Sequence, residues 1–430
     1  MPRRWAWLDI FALIKNDPFV LAIFFSLLLL GGDRIALSAG GMTLRLVFPL
    51  LMTALLFLYK QRGGSISFDR SYALLFMLLA IAGGLSTINS LAPAKSIGYT
   101  IWILFDFIIV ISLCYNFARQ YPAEKVLSVW LWTFRIHGLL ILLTLPLSLR
   151  NGDRPTLWFY ETSYLAIFMT AYFGSALFLM LRRGRQYWWD VALSVISMAV
   201  LASATAMLGV LLCIALNILV ARQRLKLIIG TAILGGIFVA ILMLFFADTQ
   251  YFQLIAGFML RPDASLDLIL MRAGNRWIRL LVGLDAFRHS PWLGIGIGGD
   301  SAYMEQRAFP ENAWALVRPW SGLDFGQPFC NIVVEVMGTM GIVGLIPFLA
   351  ILLRAAWQTT QMLMSRGSEA VIGAAFFVGF FSTFLALQLE GTFLRYYLWA
   401  PLGLALGIAA QMREKNELWP SHKEVGAGKT

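Results

Sequence analysis

Ile332–Leu353 reads IVVEVMGTMGIVGLIPFLAILL, an apolar run broken by one charge, Glu335. A hydrocarbon core about 30 Å thick needs roughly 20 predominantly apolar residues per helical crossing. This stretch meets that length, and Tyr72–Ile88 and Leu227–Phe246 approach or meet it too. Across the chain 59% of residues are hydrophobic and only 13% charged. Such a composition excludes an ordinary soluble domain. Backbone groups in lipid must be satisfied within the chain, so the reading is an all-α polytopic membrane protein, a single integral domain over residues 1–430.

Working outward, the apolar runs predict about twelve transmembrane helices. They lie near 18–33, 42–59, 71–89, 97–117, 126–149, 158–181, 188–203, 205–221, 226–247, 328–353, 370–388 and 393–411. The pair over 188–221 is divided at Ser203-Ala204-Thr205, because only that division gives Arg222, Arg224 and Lys226 an inside address. The net charge of +11 invites a nucleic-acid partner, but the basic residues sit in alternate connections. Arg3, Arg4 and Lys15, then Lys60, Arg62 and Arg70, then Arg182, Arg183 and Arg185, then Arg222, Arg224 and Lys226, and finally Arg413 and Lys415, form these clusters. Positive connections face the cytoplasm. An even number of spans puts both termini inside, with a cytoplasmic tail over 412–430 whose soluble character is clearest in Lys415–Thr430. The long segment 248–328 then lies outside.

Met1–Lys15 mixes basic and aromatic residues and reads as an interfacial helix, not a cleaved signal. Cys114 and Cys213 fall in expected spans and only Cys330 reaches the outer side, so no disulfide is expected. His137, His289 and His422 are scattered, without metal-ligand spacing.

The outer segment holds Arg261, Arg272, Arg276, Arg279, Arg288, Arg307 and Arg318. Long loops are exempt from the charge rule, but these arginines still need a role. Met271–Arg288 (MRAGNRWIRLLVGLDAFR) has amphipathic helical character, with Trp277, Leu281 and Leu284 on one side. Arg272, Arg276 and Arg279 share the other, continued by Gly283 and Ala286. Like charges on neighbouring turns repel, so an anion among them is favourable, and guanidinium groups fork onto phosphate. Lipid headgroups or water are the plainer partners. The glycines of Pro291–Asp300 (PWLGIGIGGD) lack the flanking strand and helix of a dinucleotide loop, so a packed turn is expected there.

Arg276–Gly298 (RWIRLLVGLDAFRHSPWLGIGIG), followed by Cys330–Leu345 (CNIVVEVMGTMGIVGL), resembles the signature region of the O-antigen polymerase and O-antigen ligase superfamily. Its pattern is an arginine-led amphipathic helix, a Pro-x-x-Gly-x-Gly turn, then Asn and a Gly-x-x-Gly helix. Glu161-Thr-Ser-Tyr is similar to the short Glu-x-Ser element of many members. The resemblance implies a membrane glycosyltransferase of type-C architecture with a large periplasmic loop, in the bacterial inner membrane. It implies a saccharide donor linked to undecaprenyl pyrophosphate and an acceptor of the same kind, transfer with inversion, and neither metal nor cofactor. Membrane lipid, chain-length regulators and export proteins are the expected partners; nucleic acid is not.

A departing pyrophosphate gains negative charge, which preorganised cations stabilise. Arg276 and Arg279 are the first candidates, with Arg272 beside them. Arg318 and Arg395 follow, since an outer arginine at a helix end also serves as a headgroup anchor. Members with a histidine before the asparagine have a base there; this chain has Cys330 before Asn331. A thiol is a poor general base unless tuned, so packing is the expected role of Cys330. Glu161 and Glu335 replace it as candidate bases, with His289 and Glu390 behind them. Glu335 lies four residues after Asn331, on the same helical face, and a carboxylate inside a span is costly without purpose. Trp292, Trp314, Trp320 and Phe325 offer flat surfaces for sugar rings or an aromatic belt at the interface. Gly338, Gly341 and Gly344 are expected to allow close helix packing.

Asp106, Arg135 and His137 lie within apolar runs, as ion pathways of transporters do. A lipid-linked-oligosaccharide flippase is therefore the non-enzyme alternative, although an Asp106–Arg135 pair joining two helices explains those residues. Among enzymes, the missing histidine favours the polymerase over the ligase.

Overall fold

The computed structural model describes residues 17–31, 37–39, 42–44, 47–151, 154–159, 161–201, 204–220, 276, 279–306 and 329–415. Helices dominate. They are α1 (Pro18–Leu28), α2 (Val47–Gln61), α3 (Arg70–Ser86), α4 (Pro93–Phe105), α5 (Ser112–Gln120), α6 (Ala123–Asn151), α7 (Thr162–Arg183), α8 (Trp188–Leu201) and α9 (Ala204–Val220). After these come α10 (279–289), α11 (Asp300–Gln306), α12 (Ile332–Met364), α13 (Ser368–Leu387) and α14 (Tyr396–Glu414). A π-helical turn, Asp106–Ile111, links α4 to α5. One antiparallel hairpin, Leu37–Ala39 with Met42–Leu44, departs from the all-α expectation.

Six helical stretches among the described residues are long and apolar enough to cross a membrane: Arg70–Asn89, Pro93–Gln120, Ala123–Ser148, Thr162–Arg183, Ile332–Met364 and Ser368–Leu387. The expected span 226–247 lies outside the described residues. The expected span 18–33 contains only the 11-residue α1, which at 1.5 Å per residue is well short of the bilayer core. The span expected over 42–59 begins instead with the second hairpin strand, and α2 starts at Val47.

Helices α7 and α13 are almost wholly buried at the centre of the bundle and pack on each other. Small residues permit the approach: a Cβ on Gly174 would lie 2.0 Å from Ser382 Oγ, and Ser175 Oγ donates to the Ala375 carbonyl at 2.9 Å. Peripheral α3 instead leaves Leu74, Met77, Leu78, Ile81 and Leu85 exposed along helical spacing. An apolar stripe of that kind suits a lipid or protein surface.

The buried charges resolve differently from the sequence expectation. Arg135 on α6 pairs with Asp190 on α8, Nε to Oδ1 at 2.7 Å and Nη2 to Oδ2 at 3.0 Å, and Tyr172 on α7 donates to Oδ1 at 2.6 Å. Asp106 is not its partner. Helix α6 packs against α8, whereas the turn carrying Asp106 packs against α14, so the two residues face different neighbours. His137 packs among Trp158, Phe159 and Phe168 with Nδ1 2.7 Å from the Thr133 carbonyl.

Ion pairs tie together one set of helix ends: Arg119 to Glu414, Arg183 to Glu124, Lys415 to Glu369, and Arg354 and Arg413 to Asp69. The opposite ends of α7, α12, α13 and α14 carry Glu161, Glu335, Glu390 and Arg395.

Candidate active site

The site begins with a broken helix. Inside α12, Gly341 adopts φ 62° and ψ −161°, which no helical residue has, and the chain kinks there. A break at membrane depth frees backbone groups that must find partners. The glycine-rich turn supplies them. Ile295 and Gly296 donate their N–H groups to the carbonyls of Gly338 and Thr339 at 3.1 and 3.0 Å, and Ile342 and Val343 donate to Pro291 and Trp292 at 2.8 and 3.2 Å. A Cβ on Gly294 would fall 2.2 Å from the Thr339 carbonyl carbon, and one on Gly341 would fall 2.3 Å from the Trp292 oxygen. The glycines of both motifs therefore serve one docking, of the turn into the kink. Gly338 also lets α10 cross closely: its Cβ would sit 2.7 Å from the Gly283 carbonyl oxygen.

This docking fixes α10 over the start of α12. Arg276 Nη2 reaches Glu390 Oε1 at 2.5 Å, and the almost fully buried Arg279 donates from Nη2 to the Glu390 carbonyl at 3.1 Å. Arg276 keeps 36% of its side chain exposed, while Glu390 keeps 9%. Both arginines thus turn toward protein, and one retains an open face. Glu390 ends the turn after α13, held by its N–H to the Leu387 carbonyl at 3.3 Å. Gly391 follows at φ 81°, where a Cβ would strike the Phe329 carbonyl oxygen at 2.1 Å.

Glu335, in the first turn of α12, is buried and accepts the backbone N–H of Thr392. Asp300 and Arg395 both act on its carboxylate electrostatically. Asn331 caps α12: its Oδ1 accepts from Val333 and Val334 N–H at 3.0 and 3.1 Å. Cys330 is buried, with Sγ donating to the Leu389 carbonyl at 3.1 Å. The Arg395 guanidinium lies 3.9 Å from the centre of the Tyr164 ring, and Tyr164 in turn feels Glu161 and Glu390. Glu161 stands at the head of α7 and accepts from Ser163 Oγ at 3.2 Å.

Residues 191–349 match a family model described as O-antigen ligase. Over that stretch the chain is similar to the O-antigen ligase family. The match bears out the superfamily resemblance, and it spans the arginine-led helix, the glycine-rich turn, Asn331 and the kink at Gly341. No curated protein matches the chain. Glu161, Glu390 and Arg395 lie outside the matched stretch and reach it through the fold.

The site residues of the sequence reading divide in three. Arg276, Arg279, Glu335, Glu161 and Arg395 gather around the Leu387–Thr392 turn and the head of α12. Asn331 is there too, but as a cap. Arg272, Arg318 and Trp320 lie outside the described residues, as do Trp314 and Phe325. His289 is exposed at the end of α10, 6.4 Å ring to ring from Tyr303, and Trp292 is exposed beside the kink.

Two members went unseen in the sequence. Asp300 heads α11 nearly fully buried, 3.7 Å from Lys95 Nζ, and Lys95 also donates to Ser301 Oγ at 3.3 Å. Burial pushes the Asp300 carboxyl above its usual range, against the opposing pull of Lys95 and Arg279. The pair ties α4 to the end of the glycine-rich turn, where a Cβ on Gly298 would meet Tyr99 at 2.8 Å. Only the lone lysine among apolar residues at the head of α4 hinted at it.

Proposed function

We propose that the chain is a polysaccharide polymerase that joins undecaprenyl-pyrophosphate-linked repeat units at the periplasmic face of the bacterial inner membrane. Members of the O-antigen ligase family are glycosyltransferase-like enzymes with lipid-linked saccharide substrates. The observation that carries the finer reading is the inward grip of Arg276 and Arg279, two cations held together by Glu390 at one end of the bundle. A sugar diphosphate bound there places its departing charge against fixed guanidinium groups, the largest expected catalytic term. The acceptor hydroxyl attacks the anomeric carbon from the opposite face, with inversion, and a carboxylate of the cluster takes its proton. Arg395, and Arg272 and Arg318 from the outer loop, extend the positive field, with Trp320 as a sugar platform. The basic clusters of the other helix ends, tied by their ion pairs, support a cytoplasmic address for both termini and an outer address for this site.

The family description favours a second reading, a ligase that moves the finished polymer to a different lipid acceptor. Purified protein in liposomes, supplied only with lipid-linked repeat units, separates the readings. A polymerase lengthens them, a ligase leaves their length unchanged and transfers the saccharide only when given the second acceptor, and a flippase merely relocates them. Neither elongation nor transfer to the second acceptor under any condition sinks the enzyme reading.

A further inference from the structure

We propose that Glu390 is an exchangeable counter-ion that the donor's diphosphate displaces from Arg276, and that the released carboxylate is the group that deprotonates the acceptor hydroxyl. This inference rests on the transferase reading above and names a base for it that differs from Glu335 and Glu161.

The geometry points to exchange at Arg276. Its guanidinium holds one carboxylate oxygen of Glu390 at 2.5 Å, yet more than a third of its side chain is open. A carboxylate bears one negative charge and a diphosphate bears several, and both present oxygen pairs matching the same planar fork. An arriving diphosphate therefore competes on equal geometry with greater charge. Arg279 contacts the other part of the same residue: it holds the Glu390 backbone carbonyl at 3.1 Å, so the main chain stays in place as the carboxylate leaves Arg276.

The other acids are less suited to the role. Glu335 is committed to the N–H of Thr392 and locks the turn. Glu161 accepts from Ser163 Oγ and acts electrostatically on Tyr164. Cys330 donates its proton to a carbonyl. Glu390 alone among them touches the cation that the leaving group needs.

The step balances. The acceptor O–H proton passes to Glu390 Oε1 as the acceptor oxygen bonds the anomeric carbon. The bond from that carbon to the phosphate oxygen breaks with its electron pair on the diphosphate, whose new charge Arg276 and Arg279 neutralise. When the lipid diphosphate leaves, Glu390 gives its proton to water and returns to Arg276.

The test titrates inorganic pyrophosphate onto full-length protein in nanodiscs and measures elongation of lipid-linked units by the same preparations. Glu390→Gln keeps the shape and loses the competing charge, so pyrophosphate binds on the order of tenfold tighter than in wild type. Elongation falls roughly a hundredfold or more. A purely structural ion pair predicts no gain in pyrophosphate affinity. Equal or weaker binding by Glu390→Gln, or elongation within a few-fold of wild type (about threefold), overturns the proposal. If that variant does not fold, Glu390→Asp decides: pyrophosphate binds as in wild type, while the retracted carboxylate slows elongation by about tenfold or more, and wild-type turnover overturns the inference. Failure of the transferase reading shows separately, as a wild-type protein that does not elongate, whereas the affinity comparison judges the exchange by itself.

Discussion

Glu335 and Thr392, separated by 57 positions in the chain, are joined by a hydrogen bond from the Thr392 backbone N–H to the Glu335 carboxylate. Thr392 is a β-branched residue at φ 64°, a conformation that costs about 1–3 kcal/mol. The carboxylate offsets that strain and orients the turn that carries Glu390. Glu335→Ala is expected to lower stability by about 1–3 kcal/mol through the lost acceptor. Thr392→Gly should be neutral or stabilising by up to about 1 kcal/mol. Thermal unfolding in detergent checks both, and a Glu335→Ala variant melting with wild type would show that other contacts hold the turn.

Arg276 and Arg279 should fail differently. Arg276→Lys keeps the charge and loses the fork, so elongation is expected to fall by at least about tenfold with folding intact. Arg279→Ala removes the donor to the Glu390 carbonyl and leaves a buried void, which adds a loss of about 1–3 kcal/mol in stability. Initial-rate assays beside melting curves separate the two, and near-normal elongation by both variants would refute the assignment of this helix.

Cys330→Ala is expected to retain elongation within about threefold of wild type, since the thiol packs and donates to Leu389. The folded protein should also resist maleimide labelling at this position. An inactive Cys330→Ala that is still folded would show that the thiol takes part in the chemistry.

Asp300 links stability to pH. Burial raises its folded-state value above 3.8, so the folded protein holds this proton over a range where the unfolded chain has released it. The contribution is fully present below pH 3.8 and is lost as pH rises through the raised folded value. Asp300→Asn should flatten the melting profile in that window, and Lys95→Met, which removes the opposing cation, should extend the window upward. Melting temperature against pH, compared among the three proteins, reads the effect directly.

Arg135 and Asp190 form a buried pair that spans three helices through Tyr172. Arg135→Ala or Asp190→Asn should cost about 3–5 kcal/mol, while replacing both with apolar residues should recover most of it. Asp106, whose oxygens have no hydrogen-bond partner among the described residues, should tolerate Leu without loss of stability. Melting curves of the single and double variants check the coupling.

Much of the site was legible in the order of residues. The stripe of Arg276 and Arg279, the carboxylate of Glu335 inside an apolar run and the Glu161 element at a helix head all announce themselves locally, because spacing on a helix fixes which side chains share a face. Glu390 ranked only behind the favoured acids, since its worth comes from a contact with Arg276 across 114 positions. The glycine motifs were read as ordinary packing, because a chain does not declare that a helix 45 residues away will break and accept a turn's hydrogen bonds (Gly341 less Gly296).

By itself the sequence determined that this chain has the composition of a membrane protein, where its apolar runs lie, which connections carry the basic clusters and which arginines of the 248–328 segment have phosphate-binding chemistry. Those are consequences of composition and short-range periodicity, which act residue by residue. Tertiary structure alone decided the partners: Asp190 for Arg135, the α12 kink for the glycine-rich turn, Glu390 for the arginines. Hydrogen bonds and ion pairs act over about 3 Å, and only the packing of helices brings distant segments within that reach.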